Sequence, residues 1–236
     1  MHSGFDGSAE ELHFFGAWAG VERGYHVLTF DGPGQPSAVR RRLMFRPDWE
    51  RVVGSVLDFL HDDPGVDQDR IALLGVSFGG LLAPRAAAFE HRLAAVVAVD
   101  GIYDAAAAVT SLLPWDRDEL ERRAQAEHDE ELDRVVVAAR AASPTLRWAC
   151  DHGRYVFGVG GDREFLAEYL KYTLAGGIAE RISCPALVLT GSRRPSDRQE
   201  IWAPGPAGRG PKRQAVTGGV VRRPPRRPQR LSILRG

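Results

Sequence analysis

Lysine is almost missing from this chain: only Lys171 and Lys212 stand among its 31 basic residues, and the rest are arginines. Long apolar runs are missing too. No stretch reaches the roughly 18 apolar residues needed to cross a bilayer, and no basic start leads into an apolar segment of the signal-peptide kind. The expectation is a cytoplasmic chain without a membrane partner. Cysteine is scarce: Cys150 and Cys184 are the only two, and neither has a second Cys or His at metal-ligand spacing. Idle or buried thiols are therefore expected in place of a disulfide or a zinc site, and no metal or other cofactor is expected. Gly158-Val159-Gly160-Gly161 is glycine-rich but lacks a P-loop lysine and follows a helical stretch, so it reads as a turn between helices. Histidine stops early, with seven in the chain and none after His152.

What is present suits one domain: 236 residues, 44% of them apolar, can bury a single good core. The net charge of zero hides an asymmetry. Residues 192 to 236 hold eleven arginines and one lysine against Asp197 and Glu200, so the tail carries +10 and the remainder −10. Seven prolines and six glycines fall in the same tail, with little apolar periodicity. Such a composition cannot bury enough apolar surface to order itself, and disorder is expected there. A basic tail attracts phosphate polymers in a salt-dependent way, but this one lacks interleaved aromatics beyond Trp202, so nucleic acid is not expected as a partner.

Before the tail, helix and strand patterns alternate. Ser8 to Val21 reads as a helix with Ser8 as N-cap and Glu10 and Glu11 in its first turn. His26 to Phe30 reads as a buried strand, and Asp31-Gly32-Pro33-Gly34 as a loop. A helix beginning near Pro47-Asp48 carries Val52, Val53, Val56, Leu57 and Leu60 on one face. A strand ending at Gly75, a helix from Phe78 to about Phe89 and a strand from Leu93 to Val99 follow. The alternation predicts an α/β fold with a mainly parallel sheet. From Tyr103 to Arg181 the pattern is helical throughout, and a strand signal returns only at Pro185 to Leu189. That interval is too long for a simple crossover and predicts an inserted helical cap over a pocket.

The most telling stretch is Ile71-Ala72-Leu73-Leu74-Gly75-Val76-Ser77-Phe78-Gly79-Gly80. It predicts a strand, a tight turn and a helix with Ser77 at the apex, where glycines let the backbone turn sharply and leave the hydroxyl free to attack a substrate.

With Gly4-Phe5-Asp6-Gly7, Phe30-Asp31-Gly32-Pro33-Gly34-Gln35, Arg46-Pro47-Asp48-Trp49-Glu50, Val66 to Ile71, Ala83-Pro84-Arg85-Ala86-Ala87 and Ile182-Ser183-Cys184-Pro185 in order around that turn, the chain resembles the α/β-hydrolase superfamily. More narrowly, it is similar to the capped serine hydrolases of the fermentation-respiration switch protein and 2,6-dihydroxypseudooxynicotine hydrolase group. The resemblance covers residues 3 to 191. It implies Ser77 as nucleophile, with the backbone N–H groups of Phe78 and of the Gly4-Phe5-Asp6 loop, Phe5 in particular, holding the oxyanion. It implies an ester, amide or carbon–carbon bond of a small-molecule substrate as the target, and a homodimer is compatible with it.

The superfamily order then places an acid after the strand at Pro185 to Leu189 and a histidine beyond one further strand. Here that turn reads Gly191-Ser192-Arg193-Arg194 and no histidine follows. Asp197 is a candidate acid within the arginine-rich tail; Asp100 and Asp104 are alternatives after the strand at Val96 to Val99, and Asp104 could equally cap the next helix. No base is found. His26, His61, His91 and His128 read as surface or packing residues, and only His2 and His152 lie where a substrate could pass.

The sequence also opens at the oxyanion loop, so the central strand expected just before it counts as missing. The expected organisation is an α/β-hydrolase core at 1–103 and 182–191 without its N-terminal strands, a helical cap at 104–181 and a disordered tail at 192–236. A frameshift near Gly191 to Arg194 and a misplaced start at Met1 would account for both ends. The expected activity is a serine hydrolase impaired by the lack of a base; the alternative is a non-catalytic fragment or binding protein with an anion-attracting tail.

Overall fold

The computed structural model describes residues 1–189, and the expected tail, with Asp197, lies outside the described residues. Three parallel strands form one sheet in the order β1 (Ala72–Val76), β2 (Ala95–Val99), β3 (Ala186–Leu189). Leu74 stands opposite Val97, and Val97 opposite Leu187. The helices are α1 (Ala17–Glu22), α2 (Pro36–Val39), α3 (Trp49–His61), α4 (Gly79–Ala87), α5 (Ala106–Thr110), α6 (Arg117–Gln125), α7 (Glu130–Ala142), α8 (Pro144–Phe157) and α9 (Asp162–Tyr169). This is an α/β arrangement with a parallel sheet, as the alternating pattern predicts.

Each element follows from its residues. Helix α3 buries Trp49, Val53 and Leu57, spaced four apart, and leaves the opposite face to solvent. Helix α4 is apolar nearly all round, from Leu81 to Ala87, because it packs on β1 and β2 on one side and on α3 on the other. The Arg85 guanidinium makes a two-pronged ion pair with Glu50 that ties α4 to α3. Helix α8 starts at Ser143, whose hydroxyl accepts the Leu146 N–H, and ends at Gly158 in the left-handed region, φ +69°. The turn expected at Gly158 to Gly161 is found there.

Two apolar clusters result. One joins the sheet, α3 and α4 to Cys150, Val156, Phe157, Phe165 and Tyr172 of the helical segment. The second lies within that segment, around Leu113, Leu120, Leu132, Val136 and Leu170. Five helices, α5 to α9, thus separate β2 from β3. Among the described residues, no helix is long and apolar enough to cross a membrane.

Three local expectations are corrected. Ser8 to Val21 is not one helix: a short 3-10 turn at Glu11–His13 and α1 are separated by Gly16, whose φ of +133° no helix contains. His26 to Phe30 is not a buried strand, and its residues are half-buried or exposed. Leu28 and Phe30 bond to Met1: the Met1 amino group donates to Leu28 O (2.6 Å) and the Phe30 N–H to Met1 O (3.1 Å). One residue of partner is too little for a ladder.

The central position beside β1 is also not empty. His2 pairs with Gly75 in parallel, its N–H donating to Leu74 O (3.0 Å) and its carbonyl accepting from the Val76 N–H (3.2 Å). Met1 to Ser3 therefore occupy the expected strand position and satisfy backbone groups of β1 that would otherwise be unpaired.

Candidate active site

Strand β1 delivers the chain to Ser77, which sits exposed at φ +60°. A side chain in the left-handed region costs on the order of 1–3 kcal/mol and persists only where the surroundings enforce it. Here they do. A Cβ on Gly75 would lie 2.0 Å from Gly79 O, and one on Gly79 would lie 2.6 Å from Ser3 O. Only glycine lets the strand, the turn and the loop before it close to this distance. The Gly80 N–H closes the turn on Ser77 O at 2.7 Å, and α4 begins with its N-terminus at the serine.

The loop Ser3 to Gly7 packs against this turn. The backbone N–H groups of Phe78 and Phe5 have no hydrogen-bond partner among the described residues. Gly4, the residue before Phe5, lies directly on the turn: a Cβ there would fall 2.5 Å from the Phe78 nitrogen and 2.9 Å from Ser77 Cβ.

The loop is anchored by Gln35, a residue to which the sequence alone assigned no role. Gln35 is fully buried; its amide nitrogen donates to Ser3 O (2.7 Å) and Gly4 O (3.2 Å), and its amide oxygen accepts the Gly32 N–H (2.7 Å). Ser3 Oγ donates to Gly7 O and tightens the same loop.

A cavity of about 350 Å³ opens at the serine. Ser77, Phe78 and Phe5 line it together with Ile102, Leu112, Leu113, Trp148, Ala149, Cys150, Phe165 and Tyr169. No charged side chain is among the described residues that line it. Burial pushes the Cys150 thiol up to about 11 and the Tyr169 hydroxyl up to about 12, so both are protonated at neutral pH. Neither is a nucleophile there. Among the described residues no group of His, Cys, Asp and Glu is arranged to hold a metal ion.

The candidate acids lie elsewhere. Asp104 accepts from the Ala106 N–H (2.8 Å), the Thr173 hydroxyl (3.2 Å) and both reachable donors of Arg117 Nη1, and so both caps α5 and pins it to α6. Asp100 is exposed at φ +64° where β2 ends, with its N–H on Leu189 O. Asp197 is outside the described residues.

All seven histidines are described, and none hydrogen-bonds Ser77. His2 is fully buried; its Nδ1–H donates to Ser3 O (2.9 Å) and its Nε2 accepts from Trp49 Nε1–H (3.3 Å). Both contacts suit the neutral ring, and burial lowers its pKa to about 3. His2 is thus a packing residue with both nitrogens committed. His152, on α8, reaches Phe5 O with Nε2 at 3.0 Å. His61 and His128 are exposed, and exposed His91 contacts Ser183.

A serine in the left-handed region at the end of a parallel strand, followed at once by a buried helix, is the turn of an α/β hydrolase. Residues 2–225 match the profile of the alpha/beta hydrolase family, and the chain belongs to it. It is 36% identical over 200 residues to 20-hydroxy-prefusarin hydrolase FUS2 of Gibberella moniliformis, covering 78% of this chain and 45% of that protein. To hydrolase acrC of Aspergillus aculeatus it is 38% identical over 199 residues, covering 80% and 44%. Among solved structures it is similar to 2,6-dihydroxy-pseudo-oxynicotine hydrolase, with a TM-score of 0.57 and 25% identity over 80% of this chain and 43% of that one. The chain spans a little under half the length of these relatives.

Proposed function

We propose that this chain is a serine hydrolase that acts on an ester, amide or carbon–carbon bond of a small, uncharged, largely apolar substrate. The observation that carries the reading is that Ser77, at φ +60° on the turn after β1, lines an apolar cavity together with Phe78 and Phe5, whose N–H groups make no hydrogen bond among the described residues. Helices α5 to α9 act as a cap in this reading, supplying Trp148 and Tyr169 to the cavity lining, with Leu112 from the turn after α5. The hydrolase names of the fungal relatives favour the same reaction class.

The reaction begins with attack of Ser77 Oγ on the substrate carbonyl carbon. The carbonyl oxygen gains negative charge and moves toward the two backbone donors, each worth roughly 10² to 10³ in rate. Collapse of the tetrahedral species expels the alcohol, amine or carbanion and leaves an acyl-serine, which water hydrolyses. The serine proton passes to water during attack, since His2 has both ring nitrogens committed and His152 donates to Phe5 O. With water as the proton acceptor acylation is slow, and activated esters, whose leaving groups depart without protonation, react ahead of amides and carbon–carbon bonds, whose leaving amine or carbanion takes its proton from water. The apolar lining that the described residues give the cavity favours an uncharged substrate.

Hydrolysis of p-nitrophenyl butyrate tests the reading. The expected result is turnover above the buffer rate that Ser77→Ala abolishes; equal turnover by the two folded proteins would reject it. A second reading, favoured by the unpartnered Ser77 hydroxyl and the committed His2 ring, is a protein that binds apolar molecules without cleaving them.

A further inference from the structure

His152 belongs to the helical segment, and the residue it contacts belongs to the core. Its Nε2 lies 3.0 Å from the carbonyl oxygen of Phe5, and since a carbonyl only accepts, the imidazole donates through Nε2–H. The ring is held from two further directions. Trp148, one turn earlier on α8, stacks on it at 5.6 Å and 9°, and the Phe5 ring meets it edge-on at 5.0 Å.

The consequence concerns the Phe5 N–H. The peptide before Phe5 is fixed at Gly4 O by Gln35, from within the core. The peptide after Phe5 is fixed at Phe5 O by His152, from α8. With both flanking carbonyls anchored, the Phe5 N–H has little freedom to reorient. A preorganised donor stabilises developing charge without reorganising during the reaction, whereas a mobile one does not. The same contact joins the oxyanion loop to the wall that Trp148, Ala149 and Cys150 give the cavity.

We propose that His152 is a positioning residue: through the Phe5 carbonyl it holds the Phe5 N–H in line as an oxyanion donor and ties α8 to the loop. This rests on the serine-hydrolase reading for its effect on rate, but the tether itself does not depend on catalysis.

The test uses the full chain with a fluorophosphonate probe, following the rate of Ser77 labelling against probe concentration. Losing an oxyanion donor altogether costs about 10² to 10³ in rate, and His152→Ala leaves Gln35 in place. The expected result for His152→Ala is a tenfold to hundredfold fall in the maximal labelling rate, with the half-saturating concentration within about twofold. His152→Gln, whose amide can donate to the same carbonyl, is expected to recover to within about threefold. Wild-type labelling rates in His152→Ala, or a Gln variant as slow as the Ala variant, would overturn the proposal.

Amide hydrogen exchange on the same three proteins keeps the two readings apart. His152→Ala is expected to speed exchange in residues 3–8 at least tenfold, with Gln reversing it and α3 unchanged. If wild-type protein takes no label, the nucleophile reading fails and exchange alone decides on the tether. Unchanged exchange at residues 3–8, or uniform acceleration along the chain, rejects it.

Discussion

Gly4 and Phe78 lie back to back: a Cβ on Gly4 would stand 2.5 Å from the Phe78 nitrogen and 2.9 Å from Val76 O. Both obstructing atoms are backbone, so neither can rotate aside. Gly4→Ala must therefore push the oxyanion loop off the serine turn. The expected cost is about 1–3 kcal/mol, typical of overpacking, read as a lower urea midpoint. Ser77 labelling should fall much further than this loss of stability alone would produce.

Met1 and His2 make the fold sensitive to acid. Burial lowers the Met1 ammonium from 8.0 to about 5 and His2 from 6.5 to about 3. For a base held neutral by the fold, the unfolded chain binds the proton first, so stability rises with pH. The Met1 contribution is complete above pH 8 and is lost as pH falls from 8 to about 5; that of His2 is lost from about 6.5 to 3. At about 1.4 kcal/mol per unit, the Met1 loss is on the order of 4 kcal/mol. Urea midpoints between pH 4 and 9 should climb with pH and level off above 8. A midpoint that is flat from pH 5 to 8 would show that the two groups are not buried as described.

Asp104 separates a structural acid from a catalytic one. Its oxygens are occupied by Arg117, Thr173 and the Ala106 N–H. Asp104→Ala should destabilise by roughly 2–3 kcal/mol, less than a fully buried pair because both partners keep some exposure, while Ser77 labelling per folded molecule is unchanged. A hundredfold loss of labelling with full stability would make Asp104 part of the chemistry.

Gln35→Leu should be costly. It removes one donor from Ser3 O and Gly4 O and strands the buried Gly32 N–H. The expected loss is about 3 kcal/mol by thermal or urea unfolding. A variant as stable as the parent would mean that the loop does not rely on this amide.

The serine turn was legible because its glycines report a backbone constraint: Gly75, Ser77 and Gly79 interact within five residues, and local geometry dictates their types. The apolar faces of α3 and α4 were legible for the same reason. What was not legible depends on distant pairs. Gln35 acquires its role only by meeting Ser3 and Gly4, more than thirty positions away, and His152 by meeting Phe5 across 147. The place of Met1 to Ser3 in the sheet escaped because three residues carry no periodicity, yet two hydrogen bonds to β1 suffice to set them there. His26 to Phe30 misled in the opposite sense: its residues are β-prone, yet among the described residues the backbone bonds of Leu28 and Phe30 to Met1 do not build a ladder.

Site-mapped labelling with a fluorophosphonate tests the central claim most directly, since the probe phosphonylates only a serine whose oxygen can attack beside oxyanion donors. The account predicts one adduct on the folded chain, located by tandem mass spectrometry at Ser77, formed slowly and absent from Ser77→Ala. Folded protein that stays unlabelled at long times and high probe concentration, or that carries its adduct on another residue, would contradict it.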